Sequence, residues 1–169
     1  MLFRSASECS ARHVLHWCRW DNWWVTVSIG RPTGEPYDWF RRACDLLAHG
    51  NSEAAANLLE HVRDVDDSAT VLEVLARARY ECRDYEAARD VLLVLVRKSP
   101  DSDYAHFLLG LCLWRLQDFP GTRDHLSLSF VMHPGRSQCA SALGQVKATL
   151  RARIAANLPL QGPISGFDE

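Results

Sequence analysis

The sequence predicts an all-α protein, a right-handed solenoid of three helical pairs with a capping helix at the C-terminal end. From Pro36 to Leu158 the apolar residues recur at intervals of three and four, which is the spacing of amphipathic helices. Sequence features also repeat every 33 to 34 residues, a period typical of stacked helical pairs. Together, the spacing and the period predict helices throughout the middle of the chain.

Turn-forming residues at Thr33-Gly34-Glu35-Pro36 separate a Trp-rich opening from a body rich in Leu, Ala and Arg. We therefore divide the chain into three parts. Residues 1–34 form an N-terminal extension, poorly ordered or docked, and residues 35–157 form the helical repeat domain. Residues 158–169 form a tail that contains two prolines and two glycines, so it cannot continue a helix.

Each helical pair has the same arrangement of residue types. Small residues at matching positions of the two helices allow a close approach, a leucine fills the space beside them, and a polar residue caps the second helix. The small residues are Ala43, Ala76 and Gly110 on the first helices and Ala55, Ala88 and Thr122 on the second, and the leucines are Leu59, Leu92 and Leu126. The predicted N-caps are Asn51, Asp84 and Asp118, with Ser68 and Asp101 as candidate caps of the following pairs.

After the third pair, Ser137 to Asn157 is predicted to form the capping helix, since a stack of helical pairs leaves its last apolar face uncovered. We expect an apolar side formed by Leu143, Val146, Leu150 and Ile154. Ala140 and Gly144 are expected to allow close packing on the third pair.

The repeat resembles the tetratricopeptide repeat family, whose pattern is W-x2-L-G-x2-Y, then A-x3-F, then P over 34 residues. The third unit reads His106-x2-Leu109-Gly110-x2-Leu113, then Thr122-x3-Leu126, then Pro134. The second unit ends with Ala88-x3-Leu92 and Pro100, and the first opens with Trp39. The resemblance covers roughly residues 36–136 and departs from the pattern at Arg42, Arg79, His106, Thr122 and Asp67.

This resemblance implies that the first helices line a concave side that contacts a ligand. The family's contact positions fall on an aromatic surface, with Cys44 and Thr70 beside the main set. The predicted peptide-binding residues are Tyr37, Phe40, Leu47, Glu73, Arg77, Tyr80, Tyr104, Phe107, Leu111 and Trp114. For each aromatic residue the alternative is packing between helices.

The resemblance therefore implies a non-catalytic scaffold or adaptor that binds a peptide or helix of a protein partner on this surface. An apolar or amphipathic segment fits best, with Glu73 and Arg77 setting its direction. The alternative is a self-associating structural module that forms a homodimer through exposed apolar faces.

Composition and charge narrow the function classes. Hydrophobic residues make up 47% of the chain and the formal net charge is −2, so no basic surplus favours nucleic acid. No apolar run fits a secretory signal or a membrane span, and the six cysteines form no CxxC pair. We expect a cytoplasmic protein with no membrane partner. Abundant arginine, with Lys98 and Lys147 as the only lysines, suggests a bacterial source.

No catalytic motif is present, and we expect neither an enzyme nor a cofactor. The nearest approach to a metal site is Cys9-x3-His13-x2-His16-x-Cys18, which could serve a small metal-dependent enzyme or sensor. It lacks the second ligand pair usual in structural zinc sites, so we expect no metal. The acidic runs at Asp64–Asp67 and Asp101–Asp103 are explained by helix starts.

The opening residues belong to no repeat. Trp17, Trp20, Trp23 and Trp24 lie there, and Trp23 to Ile29 has the composition of a strand. Three interpretations remain open: a segment lying in the groove, an adhesive arm for a partner, or a non-native extension. The difference in composition slightly favours the last.

Overall fold

The computed structural model describes residues 34–163, which form seven α-helices and, within that range, no strand. The helices are α1 (Pro36–Ala48), α2 (Ser52–Arg63), α3 (Ala69–Glu81), α4 (Tyr85–Lys98), α5 (Asp103–Arg115), α6 (Phe119–Met132) and α7 (Ser137–Ala155). Successive helices pack on one another as three pairs followed by α7. The predicted all-α solenoid is confirmed. The Trp-rich segment and the Cys9–Cys18 run lie outside the described residues.

The small residues lie where the helices of each pair cross. Ala43, Ala76, Ala55, Ala88 and Thr122 are completely buried, as predicted. Leu59, Leu92 and Leu126 are also at 0% exposure. The third crossing is the tightest, because a Cβ atom on Gly110 would lie 2.8 Å from the side chain of Leu126. The small residues therefore set how closely the paired helices approach.

The turn inside each pair places one residue in the left-handed region, at Gly50 (φ 78°), Arg83 (φ 64°) and Gln117 (φ 59°). In each case the next N–H bonds a carbonyl five residues back, as from Asn51 to Leu46, from Asp84 to Arg79 and from Asp118 to Leu113. A helix end closed by this hydrogen bond, after a residue in the left-handed region, is the Schellman motif. It reverses the chain tightly.

Helix capping follows the prediction at most positions. The carboxylates of Asp84 and Asp118 accept from the N–H groups of Ala87 and Gly121, and the Ser68 hydroxyl accepts from Val71. Asn51 occupies its N-cap position without a side-chain cap bond. The prediction of Asp101 as a cap is wrong, because Ser102 caps α5.

The capping helix buries Leu143, Val146 and Leu150 against the third pair, as expected. Ile154 does not join them and is 64% exposed. The expected close approach at Ala140 and Gly144 is also wrong, since both are exposed and a Cβ on Gly144 would meet nothing within 4 Å. The buried side of α7 instead includes Cys139 and Arg153.

The first part of the tail turns back onto the third pair. Gly162 N–H donates to Gln117 O at 3.0 Å, and the Gln161 amide donates to the Asp118 carboxylate at 2.9 Å. The Arg153 guanidinium, 4.5 Å from the centre of the Phe119 ring, donates to Pro159 O. Residues 158–163 thus form a docked strap over the α5–α6 turn.

Candidate functional site

The first helices of the three pairs enclose a groove with a volume of about 370 Å³, here called the α1–α3–α5 groove. It forms because α3 lies between α1 and α5 and contacts both. Apolar and charged side chains share its surface. The lining residues are Cys44, Leu47, Ala48, Glu73, Val74, Arg77 and Tyr104.

Arg77 is the positively charged residue of this lining. Its Nε donates to Glu81 Oε1 at 2.9 Å, one helical turn along α3, and Glu81 also accepts from the Ser52 hydroxyl at 2.9 Å. The hydrogen bond to Glu81 raises the pKa of Arg77. The side chain of Arg77 remains 56% exposed, so its charge is already paired but still accessible to a ligand.

Glu73 is the negatively charged residue of the lining, and it is half-buried. Burial raises its pKa, and the like charge of Asp103 adds to that increase, whereas Arg136 acts in the opposite direction. Among the described residues Glu73 has no hydrogen-bond or ion-pair partner for its carboxylate. Its charge is therefore poorly compensated.

Tyr104 closes the groove on the α5 side. The Arg136 guanidinium lies 5.5 Å from the centre of its ring and is ion-paired with Asp103. Burial raises the pKa of Tyr104, and it also raises the pKa of the Cys44 thiol on α1. Both groups are neutral at physiological pH and present a polar atom beside the apolar surface.

Of the ten residues predicted from the sequence, the structure brings four into this groove: Leu47, Glu73, Arg77 and Tyr104. Tyr37 and Phe40 line a separate pocket of about 470 Å³, together with Thr70. Tyr80 packs edge-on against Tyr85, 5.4 Å between ring centres.

The remaining three predicted residues lie on α5 toward α6 and α7. Phe107 is only 7% exposed and is a core residue. Leu111 and Trp114 are half-buried against the same cluster, with Trp114 edge-on to Phe119 at 5.9 Å. Much of each of these three side chains therefore packs between helices, which is the alternative to ligand contact.

Sequence reasoning missed Ala48 and Val74 in the lining and Arg136 beside it. Ala48 and Val74 are each next in sequence to a predicted contact, so extending the predicted positions by one residue would have found them. Arg136 follows Pro134-Gly135 in the loop before α7, and nothing in the local sequence signals its contact with α5.

Within residues 34–163 no group of three or more His, Cys, Asp or Glu side chains is arranged to hold a metal ion. In the same part of the chain no helix combines the length and apolar character that crossing a bilayer requires.

The fold and the repeated turns define a helical-repeat protein. The tetratricopeptide repeat family model matches residues 40–103 and 74–126, which together span more than half of the chain. The chain belongs to the tetratricopeptide repeat family. No curated protein sequence matches it.

Solved structures share this fold at low sequence identity. The first tetratricopeptide repeat domain of human RPAP3 aligns with a TM-score of 0.65 and 12% identity, over 72% of this chain and 96% of that one. The Yersinia enterocolitica type III secretion chaperone SycD, in complex with a peptide of the translocator YopD, aligns at 0.63 and 14%, over 67% and 92%. MamA from Desulfovibrio magneticus RS-1 aligns at 0.67 and 16%, over 73% and 70%.

Proposed function

We propose that this chain is a non-catalytic interaction module that binds a peptide or helix of a partner protein in the α1–α3–α5 groove. The observation that carries the proposal is the groove itself, because three repeats contribute to one continuous surface of apolar and charged groups. Ligand sites commonly combine an apolar lining with a few charged groups that fix orientation.

The similar structures support a peptide as the class of ligand. SycD is described with a peptide of YopD, and the first repeat domain of Spaghetti (RPAP3) is described with an HSP90 peptide. At 14% and 13% identity these likenesses establish the fold alone. They make a peptide the natural first probe for this chain.

The proposed contacts are Leu47, Glu73, Arg77 and Tyr104 in the groove. Tyr37, Phe40, Tyr80, Leu111 and Trp114 retain exposed surface beyond it and are proposed as contacts flanking the groove. Phe107 contributes mainly to the core, and Leu47, at 8% exposure, reaches the groove only with its edge.

Selection of random short peptides displayed on phage, with the full chain as target, tests the proposal. Ala48 is exposed and lines the groove, so Ala48→Trp fills the groove without disturbing the core. We expect selected peptides to lose about tenfold or more of their affinity for this variant, because a bulky ring removes their contact surface.

The matched control is Ala54→Trp, which places the same ring at an exposed position of α2 away from the groove. Peptides that bind both variants as tightly as the original chain would show that the groove is not the binding site.

A second candidate is a homodimer, which the outer side of α6 favours. Leu128, Val131 and Met132 are 46%, 76% and 41% exposed and share one face by their spacing. Exposed apolar patches commonly mark interaction surfaces. For this candidate, light scattering should report a dimer that Val131→Glu dissociates and Leu93→Glu, on α4, does not. A monomer at every concentration contradicts it.

The cytoplasmic location and the bacterial source stay predictions from the sequence. The four described cysteines, Cys44, Cys82, Cys112 and Cys139, are free thiols. Burial raises the pKa of Cys112 to about 12, which keeps that thiol protonated and unreactive. Free thiols are typical of a reducing compartment.

A further inference from the structure

Glu73 places a negative charge on the groove surface without a partner for it. The side chain is half-buried on α3, and within residues 34–163 its carboxylate has neither an ion pair nor a hydrogen bond. Removing a carboxylate from water without a compensating partner is unfavourable. Binding can relieve that cost if the ligand supplies the missing group.

The cations near Glu73 are engaged elsewhere. The Arg136 guanidinium donates to Asp103 and lies over the rings of Tyr104 and Phe107. Arg77 donates to Glu81 at 2.9 Å. Neither guanidinium forms a hydrogen bond or ion pair with the Glu73 carboxylate, and Arg136 acts on its pKa only through space.

The acidic groups around the groove point to the charge of its ligand. Glu73, Glu81 and Asp103 are all acidic, and burial together with Asp103 raises the pKa of Glu73. An acidic ligand would reach an Arg77 whose charge is already paired with Glu81, and it would approach these three carboxylates at the same time. A basic ligand meets Glu73 with no existing pair to break.

We infer that the ligand of the α1–α3–α5 groove carries an arginine or lysine side chain that pairs with Glu73, beside an apolar residue that packs on Ala48 and Val74. This inference rests on the proposed function and specifies its ligand. The apolar lining suits the aliphatic stem of such a side chain, which can pack along it while the charged end reaches the carboxylate.

The test uses the peptides selected on the full chain whose binding Ala48→Trp weakens. We expect a basic residue at one position in most of them. The tightest binder is synthesised with blocked ends, once with that residue and once with citrulline for arginine or norleucine for lysine. Calorimetry then compares both peptides on the original chain, on Glu73→Gln and on Glu86→Gln.

On the original chain, removing the peptide's charge should weaken binding by about tenfold or more, which is typical of a hydrogen bond between charged groups. On Glu73→Gln the two peptides should bind almost equally. Glu86 is exposed on α4 outside the groove, so Glu86→Gln should behave like the original chain.

Peptides that depend on the groove but lack a basic residue would overturn this inference and leave the proposed function standing. So would a charge effect of the same size on Glu73→Gln and on the original chain. If no selected peptide depends on the groove, the proposed function fails, and the inference fails with it.

Discussion

Gly110 lies at the closest helix crossing, where a Cβ atom would be 2.8 Å from Cγ and Cδ2 of the buried Leu126. Gly110→Ala must therefore displace Leu126, and overpacking of this kind typically costs about 1–3 kcal/mol. The better helix propensity of alanine offsets about 1 kcal/mol of that cost. We expect a net decrease in the free energy of unfolding, measured by urea denaturation.

Gly144 on α7 provides the control, because a Cβ there would meet nothing within 4 Å. Gly144→Ala should raise the free energy of unfolding by about 1 kcal/mol through helix propensity alone. If both variants are equally stable, the crossing is not as tight as the structure indicates.

A buried histidine pair links α5 to α6. His106 is 4% exposed, and its Nδ1 lies 3.0 Å from Nδ1 of His125. Since the Pro100 carbonyl, 3.2 Å from His106 Nε2, can only accept, that Nε2 donates and Nδ1 accepts from His125. The pair bonds in this way only when His106 is neutral, because a protonated His106 would have no acceptor for His125.

This pair predicts a loss of stability in acid. Burial lowers the pKa of His125 from 6.5, and His106 lowers it further, whereas Asp124 and Asp118 act in the opposite direction. The unfolded chain therefore binds more protons, so stability falls as the pH drops below about 6.5. Urea denaturation between neutral and mildly acidic pH should show a smaller loss for His125→Gln than for the original chain. His133→Gln, in an exposed turn, should leave the loss unchanged.

Single residues also show where sequence reasoning stops. Tyr104 and Phe107 both occupy family contact positions, yet Tyr104 lines the groove and Phe107 is buried. Helix α5 is apolar on nearly every side, so no polar face indicates its orientation. Arg153 lies in the last turn of α7, where a surface cation would complement the helix end. Its guanidinium instead packs on the ring of Phe119, which is far away in sequence.

The three turns within the helical pairs share one backbone shape but differ in their caps. Asn51 makes no side-chain cap bond, Asp84 caps Ala87 N–H, and Asp118 caps Gly121 N–H while also accepting from Gln161 of the strap. Replacement by alanine should therefore cost little at Asn51, about 1 kcal/mol at Asp84 and up to about 2 kcal/mol at Asp118. Thermal and urea unfolding of the three variants measure this order.

The double variant Asp118→Ala/Gln161→Ala tests whether the extra loss of stability at Asp118 comes from its bond to the strap. If Gln161 acts through Asp118, the double variant should be as stable as Asp118→Ala alone. If Gln161→Ala destabilises the Asp118→Ala chain as much as it destabilises the original chain, Gln161 does not act through Asp118.

The sequence predicted the helix positions better than any other part of the fold, because turn residues, small residues and prolines recur at one period. The pairing and the cap helix followed from that period. The sequence left the tail either loose or docked, because the bonds of residues 158–163 to Gln117 and Asp118 use a backbone N–H and one amide that have no recognisable pattern.

Across the repeat domain the core is divided along the chain. One cluster runs from α1 through α5 and includes Leu59, and a second, which includes Leu126 and Leu143, joins α5 and α6 to α7. In stacked repeats each unit contacts its neighbours, so stability is divided among local interfaces. The end of the stack should therefore open separately from its middle.

Leu143→Ala tests this division, because Leu143 packs α7 onto the third pair at 7% exposure. The lost contacts and the cavity should cost about 2–3 kcal/mol locally. In native-state hydrogen exchange we expect faster exchange of the most protected amides of α6 and α7, with those of α2–α4 unchanged. Leu59→Ala, in the other cluster, should accelerate exchange in α1–α4 instead. Uniform acceleration in both variants would mean that the domain unfolds as a single cooperative unit, and that α7 stabilises every repeat.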